Sequence, residues 1–236
     1  MLFYMQAVIL CGGKGTRLRE YTENIPKPLV EIGGKPILWH IMKIYDSFGV
    51  KDFVLCLGYK GEVIKELFKG ETEWNIIFAD TGIDTNTGGR IKRIERYINS
   101  DIFFATYSDG LANINLTELL AFHKSKKKIA TLTTVNPVSQ FGILDIDNEG
   151  TILKFREKPL LNQWINGGFF VFTRKIFDYI EDNDILEKHP FERLSQKRMI
   201  SAYKFNGFWV CMDTYKDTQI LNEMWDKGNP LWIDSA

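Results

Sequence analysis

Histidine is scarce and scattered in this chain, with three in 236 residues, at positions 40, 123 and 189. That argues against a histidine-built metal centre and against a Ser-His-Asp triad. Cysteine is equally sparse. Cys11, Cys56 and Cys211 lie far apart and none belongs to a C-x-x-C pair, which fits reduced thiols and a cytoplasmic location. No apolar run approaches the roughly 20 residues of a membrane span, so no membrane partner is expected. The short apolar run ending at Cys11 lacks a basic leader and small residues before the cysteine, so a lipoprotein signal is rejected; Met5 is an alternative start to Met1. Charge of either sign is not in excess, because 30 Lys and Arg balance 30 Asp and Glu. Binding to a nucleic-acid backbone needs a basic field, so nucleic acid is excluded as the main partner, whereas a local basic pocket is not. The run Lys126-Lys127-Lys128 reads as a solvated turn before a strand.

What is present is ordinary globular composition, 44% hydrophobic and 14% aromatic, enough for a sizeable core. The first half alternates strand-like and helix-like stretches. Strands are expected at Gln6–Leu10, Lys51–Leu57, Asn75–Ala79, Asp101–Thr106 and Lys128–Val135. Helices are expected at Ile37–Phe48, Gly61–Phe68, Ile91–Ile98 and Leu116–His123. That rhythm predicts a Rossmann-like three-layer α/β fold with a mostly parallel, mixed central sheet, which binds ligands beyond the carboxyl ends of its strands. After Asn136-Pro137 the pattern becomes sheet-rich. A hairpin is expected through Gly142–Ile146 and Thr151–Arg156, then strands at Gly167–Phe172 and Met199–Phe205, with helices around Lys175–Ile180 and Tyr215–Trp225. No linker or repeat divides the chain. It is expected to be one domain over 1–236, in two halves, 5–135 and the sheet-rich 136–236.

The informative junction is Leu10-Cys11-Gly12-Gly13-Lys14-Gly15-Thr16-Arg17. Glycines there permit positive φ and close backbone approach, and successive N–H groups can then form an anion-binding nest. Lys14 and Arg17 add charge beside it; an ordinary glycine turn after a strand is the alternative. Two better-known loops are excluded. Lys14 is followed by Gly15, not by Ser or Thr as in a Walker A loop, and Leu18 stands where a dinucleotide fingerprint needs its third glycine. Further on, Pro26-Lys27-Pro28 stiffens a lysine that either faces the same anion or is an ordinary surface-turn lysine, the commoner case for such a residue taken alone.

G-G-x-G-T-R-L followed by P-K-P-L-V and Gly34-Lys35-Pro36-Ile37 resembles the sugar-1-phosphate nucleotidyltransferases. Trp39-His40, Thr87-Gly88-Gly89-Arg90, Asn166-Gly167-Gly168 and Gly207-Phe208-Trp209 with Met212-Asp213-Thr214 are similar to the glucose-1-phosphate cytidylyltransferases, and the resemblance covers nearly the whole chain. It implies the nucleotide-diphospho-sugar transferase fold and the reaction of CTP with a sugar 1-phosphate, giving a CDP-sugar and pyrophosphate for polysaccharide synthesis. It also implies a set of roles. Asp109 and Asp213 would hold Mg²⁺, and Arg17, Lys27, Asp109 and Asp213 would form the catalytic set. Leu10, Cys11, Gly12, Gly13, Lys14, Gly15, Thr16 and Arg17 would take the nucleoside and triphosphate. Thr85, Gly88, Gly89 and Arg90 would read the cytosine edge, with Ser108 bordering the ribose beside Asp109. Lys27, Gly142, Glu157, Lys158, Asn166 and Gly167 would meet the sugar phosphate.

The chain also departs from that family. Cys11 stands for alanine, Ser108 for glycine and Gln140 for arginine, and the segment Phe68–Trp74 is short. These changes leave open another acceptor phosphate or another nucleotide, and a homo-oligomer is compatible with the sequence. A non-catalytic nucleotide sensor is the reading from a different class; retention of Arg17, Lys27, Asp109 and Asp213 together speaks against it. Cys11 in the loop also raises the expectation of thiol-sensitive activity.

Overall fold

In the computed structural model, residues 5–15 and 25–233 are described. Within them the apolar run Gln6–Leu10 forms β1, every residue of it buried. Its side chains alternate between two hydrophobic clusters: Ala7 and Ile9 enter one, Val8 and Leu10 the other. A strand that is apolar on both faces must be covered on both faces, and this dictates a three-layer arrangement.

The short strands β2 (Glu31–Ile32) and β3 (Lys35–Pro36) form a small hairpin ahead of α1 (Ile37–Asp46). They are followed by β4 (Asp52–Leu57), α2 (Gly61–Phe68), β5 (Asn75–Asp80), α3 (Thr87–Arg93) and β6 (Ile102–Tyr107). Next come β7 (Gly110–Ala112), α4 (Leu116–Lys126), β8 (Ala130–Val135), the pair β9 (Ile143–Ile146) and β10 (Ile152–Arg156), and β11 (Ile165–Thr173). The series ends with α5 (His189–Gln196), β12 (Ile200–Lys204), β13 (Trp209–Cys211) and α6 (Tyr215–Asp226). The main sheet has the order β12-β8-β11-β6-β1-β4-β5. β6, β1, β4 and β5 run parallel, as do β8 and β12, and β11 lies antiparallel between the two groups. The mostly parallel mixed sheet forms as the strand rhythm predicts. One cluster takes apolar residues from α1, α2, α4 and α6, the other from α3 and α5.

Four details differ from the sequence reading. The helix expected at Ile91–Ile98 is α3, and it starts at Thr87, with a 3-10 turn at Glu95–Tyr97. Its two glycines lower helix propensity, but a neighbouring segment packs so closely on them that only glycine fits. The stretch Arg174–Tyr179 is 3-10, not α. The helix α5 was not expected; it opens with Pro190 at its first turn and, at eight residues, is shorter than the window in which a helical period is read. Finally, β7 and β13 pair as an antiparallel ribbon of three residues each, below the length at which alternation is readable. Among the described residues no helix is long and apolar enough to cross a membrane.

Candidate active site

A cavity of about 610 Å³ opens beyond the carboxyl ends of β1 and β6, lined by the glycine loop, Lys27 and both predicted carboxylates. The carboxylates meet because of the β7–β13 ribbon. Gly110 pairs with Cys211, and the Met212 N–H donates to the Asp109 carbonyl at 2.8 Å, so residues 109 and 213 are brought side by side. Asp213 then precedes a helix start fixed by a capping box between Thr214 and Asp217.

Lys27 sits in a 3-10 turn, Lys27–Leu29, flanked by Pro26 and Pro28. The prolines hold it in place and it is 8% exposed. Its ammonium donates to Asp109 Oδ2 at 2.8 Å and to Asp213 Oδ1 at 2.7 Å. Burial by itself lowers the pKa of Lys27, but attraction and hydrogen bonds from Asp109 and Asp213 outweigh it and raise the pKa above the ordinary lysine value. A cation already lies between these carboxylates, so the pair fits a positive ion by direct observation. Asp109, Cys211 and Asp213 each offer a ligand atom, all within 4.8 Å of one another. Burial, then the two carboxylates, push the Cys211 thiol well up, so it stays protonated, and a hard cation would be left the carboxylate oxygens.

Leu10, Gly13, Gly15, Thr85 and Ser108 line the cavity as the resemblance implies. Gly15 has φ of 62°, a conformation that favours glycine. Thr16 and Arg17 lie outside the described residues. Lys14 borders the cavity without lining it, because its ammonium bridges to Asp84 at 2.8 Å and joins the glycine loop to the 82–86 loop.

Several expectations are corrected. The Cys11 side chain is fully buried in the core, its thiol pushed well up by burial and then by Cys56, so it neither lies along a ligand nor invites alkylation. Gly12 turns inward too: its carbonyl accepts from the Tyr59 N–H at 3.1 Å and from Arg90 at 2.9 Å. Arg90 is 4% exposed and its guanidinium serves backbone groups. Nη1 donates to Leu57 O, Thr81 Oγ1 and Gly82 O, while Nη2 donates to Gly12 O and Ile83 O, all within 3.1 Å. Arg90 does line the cavity, and with four of five donors engaged it braces the loops around that cavity. Gly88 and Gly89 do not line the cavity. A Cβ on Gly89 would lie 2.1 Å from Asp182 O, and one on Gly88 2.7 Å from Asp184 O, so they are glycines for packing against the 182–184 segment.

On the other side, Asn166 donates to Tyr107 Oη at 3.0 Å and accepts from the Gly168 N–H at the bulge of β11, while the Gly167 carbonyl accepts from Trp209 Nε1. Asn166 is thereby tied to the cavity wall through Tyr107. Gly142, Glu157 and Lys158 lie together on the β9–β10 hairpin: a Cβ on Gly142 would be 3.1 Å from Glu157 Oε2. Glu157 and Lys158 are exposed, and none of the three lines the cavity.

Sequence reasoning missed Tyr107 and Glu187. Tyr107 Oη donates to Glu187 Oε1, and Thr87 Oγ1 donates to Glu187 Oε2 at 2.7 Å. Burial, then Glu187, raises the Tyr107 pKa, so it stays a donor. Nothing in a local pattern pairs residues 80 apart; only the aromatic at the end of an apolar strand, where such sheets bind ligands, could have flagged Tyr107.

A family model described as Nucleotidyl transferase matches residues 6–226. A protein of Bacillus subtilis (strain 168) named "Probable glucose-1-phosphate cytidylyltransferase" is 46% identical, over 97% of this chain and 99% of its own length. The glucose-1-phosphate cytidylyltransferase of Salmonella typhimurium is 44% identical over 97% of this chain and 98% of its own length. Among solved structures, HddC from Yersinia pseudotuberculosis complexed with GMP-PN has a TM-score of 0.73 at 24% identity, covering 94% of this chain and 99% of that one. The inositol-1-phosphate CTP transferase from T. maritima has a TM-score of 0.70 at 20% identity, covering 96% and 98%. At those identities the two structures speak for the fold.

Proposed function

The chain belongs to the nucleotidyl transferase family, and from that premise we propose that it transfers a cytidylyl group from CTP to glucose 1-phosphate. A phosphate oxygen of the sugar attacks the α-phosphorus of CTP in line, the bond to the β-phosphate oxygen breaks, and pyrophosphate leaves with that electron pair. No covalent enzyme intermediate forms, which agrees with the lack of an activated Ser, Cys or His among the described residues of the cavity. The work left to the protein is alignment and neutralisation of charge.

The observation that carries this reading is the convergence of Lys27, Asp109 and Asp213 on one cavity beside the glycine loop. Asp109 and Asp213 would hold Mg²⁺, which bound there would polarise phosphate oxygens and template the two anions. Lys27 faces the α-phosphate and the incoming sugar phosphate. Backbone N–H groups of Gly13 and Gly15 cradle the triphosphate with Lys14, Thr16 and Arg17, and the Arg17 guanidinium matches two oxygens of the departing pyrophosphate. Leu10 and Ser108 flank the nucleoside. With Arg90 and Gly12 engaged with each other, the cytosine edge falls to Thr85 and its neighbours Asn86 and Thr87 on the cavity wall. Asn166 and Gly167 meet the sugar, joined by Glu157 and Lys158.

A second reading keeps the chemistry and changes the acceptor. It is favoured by the position of Gly142, Glu157 and Lys158 outside the cavity lining. Pyrophosphate release measured with a panel of nucleotides and sugar phosphates decides between them. CDP-glucose identified by mass from CTP and glucose 1-phosphate is the expected result; turnover with a different pair selects the second reading, and no turnover with any pair overturns both.

A further inference from the structure

The place where a divalent ion would sit is held by the protein's own ammonium. Lys27 Nζ touches one oxygen of Asp109 and one of Asp213, at 2.8 and 2.7 Å. The lysine side chain is 10% exposed and the two carboxylates 25% and 26%, so this is a partly dry ion triad and not a solvated surface pair. An ammonium in such a place cannot withdraw without a substitute, because an unpaired buried charge is costly. The carboxylates are under the same constraint, since removing the ammonium would leave two negative groups face to face.

A divalent ion approaching the free chain needs oxygens that Lys27 already occupies, and it is repelled by Lys27 itself. An incoming triphosphate changes the balance. It gives the ammonium a new anionic partner and frees the carboxylates at the same moment. We propose that Lys27 is a resident stand-in cation that keeps the carboxylate pair closed to a divalent ion until a nucleotide draws the ammonium onto its phosphates. Metal and nucleotide then enter together, and the free chain stays indifferent to the metal alone. This rests on the reading of Asp109 and Asp213 as the holders of the ion.

The test is Mn²⁺ binding, followed by the electron paramagnetic resonance of the free ion, with no nucleotide and no sugar phosphate present. Lys27→Met should bind Mn²⁺ roughly tenfold or more tightly than the unaltered chain, the size expected when one positive charge is removed from contact range. Lys27→Arg should remain at the level of the unaltered chain, and Lys27→Met with Asp109→Asn should lose the gain. Lys27→Gln repeats the charge removal should the methionine variant fold poorly. Equal Mn²⁺ affinity in the unaltered chain and in the charge-removed variants overturns the proposal while leaving the metal reading intact. So does a manganese anomalous peak between the two carboxylates in nucleotide-free crystals of the unaltered chain, which needs no variant. Absence of Mn²⁺ binding in every variant, with or without CTP, overturns the metal reading itself and the proposal with it.

Discussion

The glycine-loop end of the cavity and the β9–β10 hairpin, which lies outside its lining, are built on different principles. At the glycine-loop end, polar groups are locked before any ligand arrives: Arg90 is buried under a web of loop carbonyls, and Lys27 is pinned between two carboxylates. At the hairpin the candidate acceptor residues stand in solvent. The β9–β10 pair joins no strand of the main sheet, and Phe141 and Phe155 are 75% and 61% exposed. An isolated two-stranded ribbon draws little stability from itself. The difference teaches that the side proposed for the triphosphate is preorganised, whereas the side proposed for the acceptor has few contacts of its own to hold it.

The largest effect is expected at the carboxylate pair beside Lys27. Asp109→Asn should lower turnover by roughly two orders of magnitude or more, with a modest loss of CTP affinity, measured by steady-state pyrophosphate release. Near-unaltered turnover would separate the carboxylate pair from the chemistry and dissolve the contrast.

Acid should weaken the buried body and spare the hairpin, which has no histidine. Burial lowers the pKa of His40 from 6.5 to about 4, and that of His123 likewise. His40 is held neutral by its partners: Trp232 Nε1–H donates to its Nδ1 at 3.3 Å, so the proton sits on Nε2, which donates to Ile32 O at 2.8 Å. As pH falls from about 7 the unfolded chain takes up protons near 6.5, and the folded chain only near 4. The unfolded state therefore binds more protons through that window, and stability falls by about 2 kcal/mol per histidine at pH 5. Urea midpoints at pH 7.5 and 5 measure this; an unchanged midpoint would contradict it.

Arg90→Lys should cost about 2 kcal/mol of stability, because a single ammonium cannot reach the carbonyls that the guanidinium fork serves. Binding of CTP should weaken in parallel, as the brace on Gly12 O is lost. Equilibrium unfolding and CTP titration together sharpen the comparison: full stability with weaker CTP binding would mean that Arg90 touches ligand after all.

The smallest structural effect is expected at the hairpin. Lys158→Ala should change stability by less than about 0.5 kcal/mol, as for surface substitutions in general. KM for the sugar phosphate should rise several-fold while that for CTP holds. A rise in KM for CTP instead would place the hairpin on the nucleotide side.

The sequence made the sheet legible because β1, β4 and β6 are apolar runs of period and length that only a covered strand satisfies. The stiffness around Lys27 was legible through its prolines, whereas its place in the site came from the resemblance. The carboxylate pair was not readable from pattern, since what joins the two residues is a ribbon of three pairs between distant segments; resemblance supplied the pair and the ribbon supplies its cause. The packing of Gly88 and Gly89 and the bracing contacts of Arg90 were hidden for a related reason. A glycine made necessary by a neighbour's carbonyl looks, in sequence, the same as a glycine that admits a ligand, and the deciding contacts lie between segments about a hundred residues apart.

Gly12 lies against the Arg90 guanidinium so closely that a methyl group on it would come within 2.0 Å of Nη1. Positions 12 and 90 are therefore sterically coupled. A lineage that enlarges residue 12 must first trim residue 90, and one that trims residue 90 inherits a hollow with several unanswered carbonyls. Each half-step is worse than either end, so the two sites should change hands jointly or not at all.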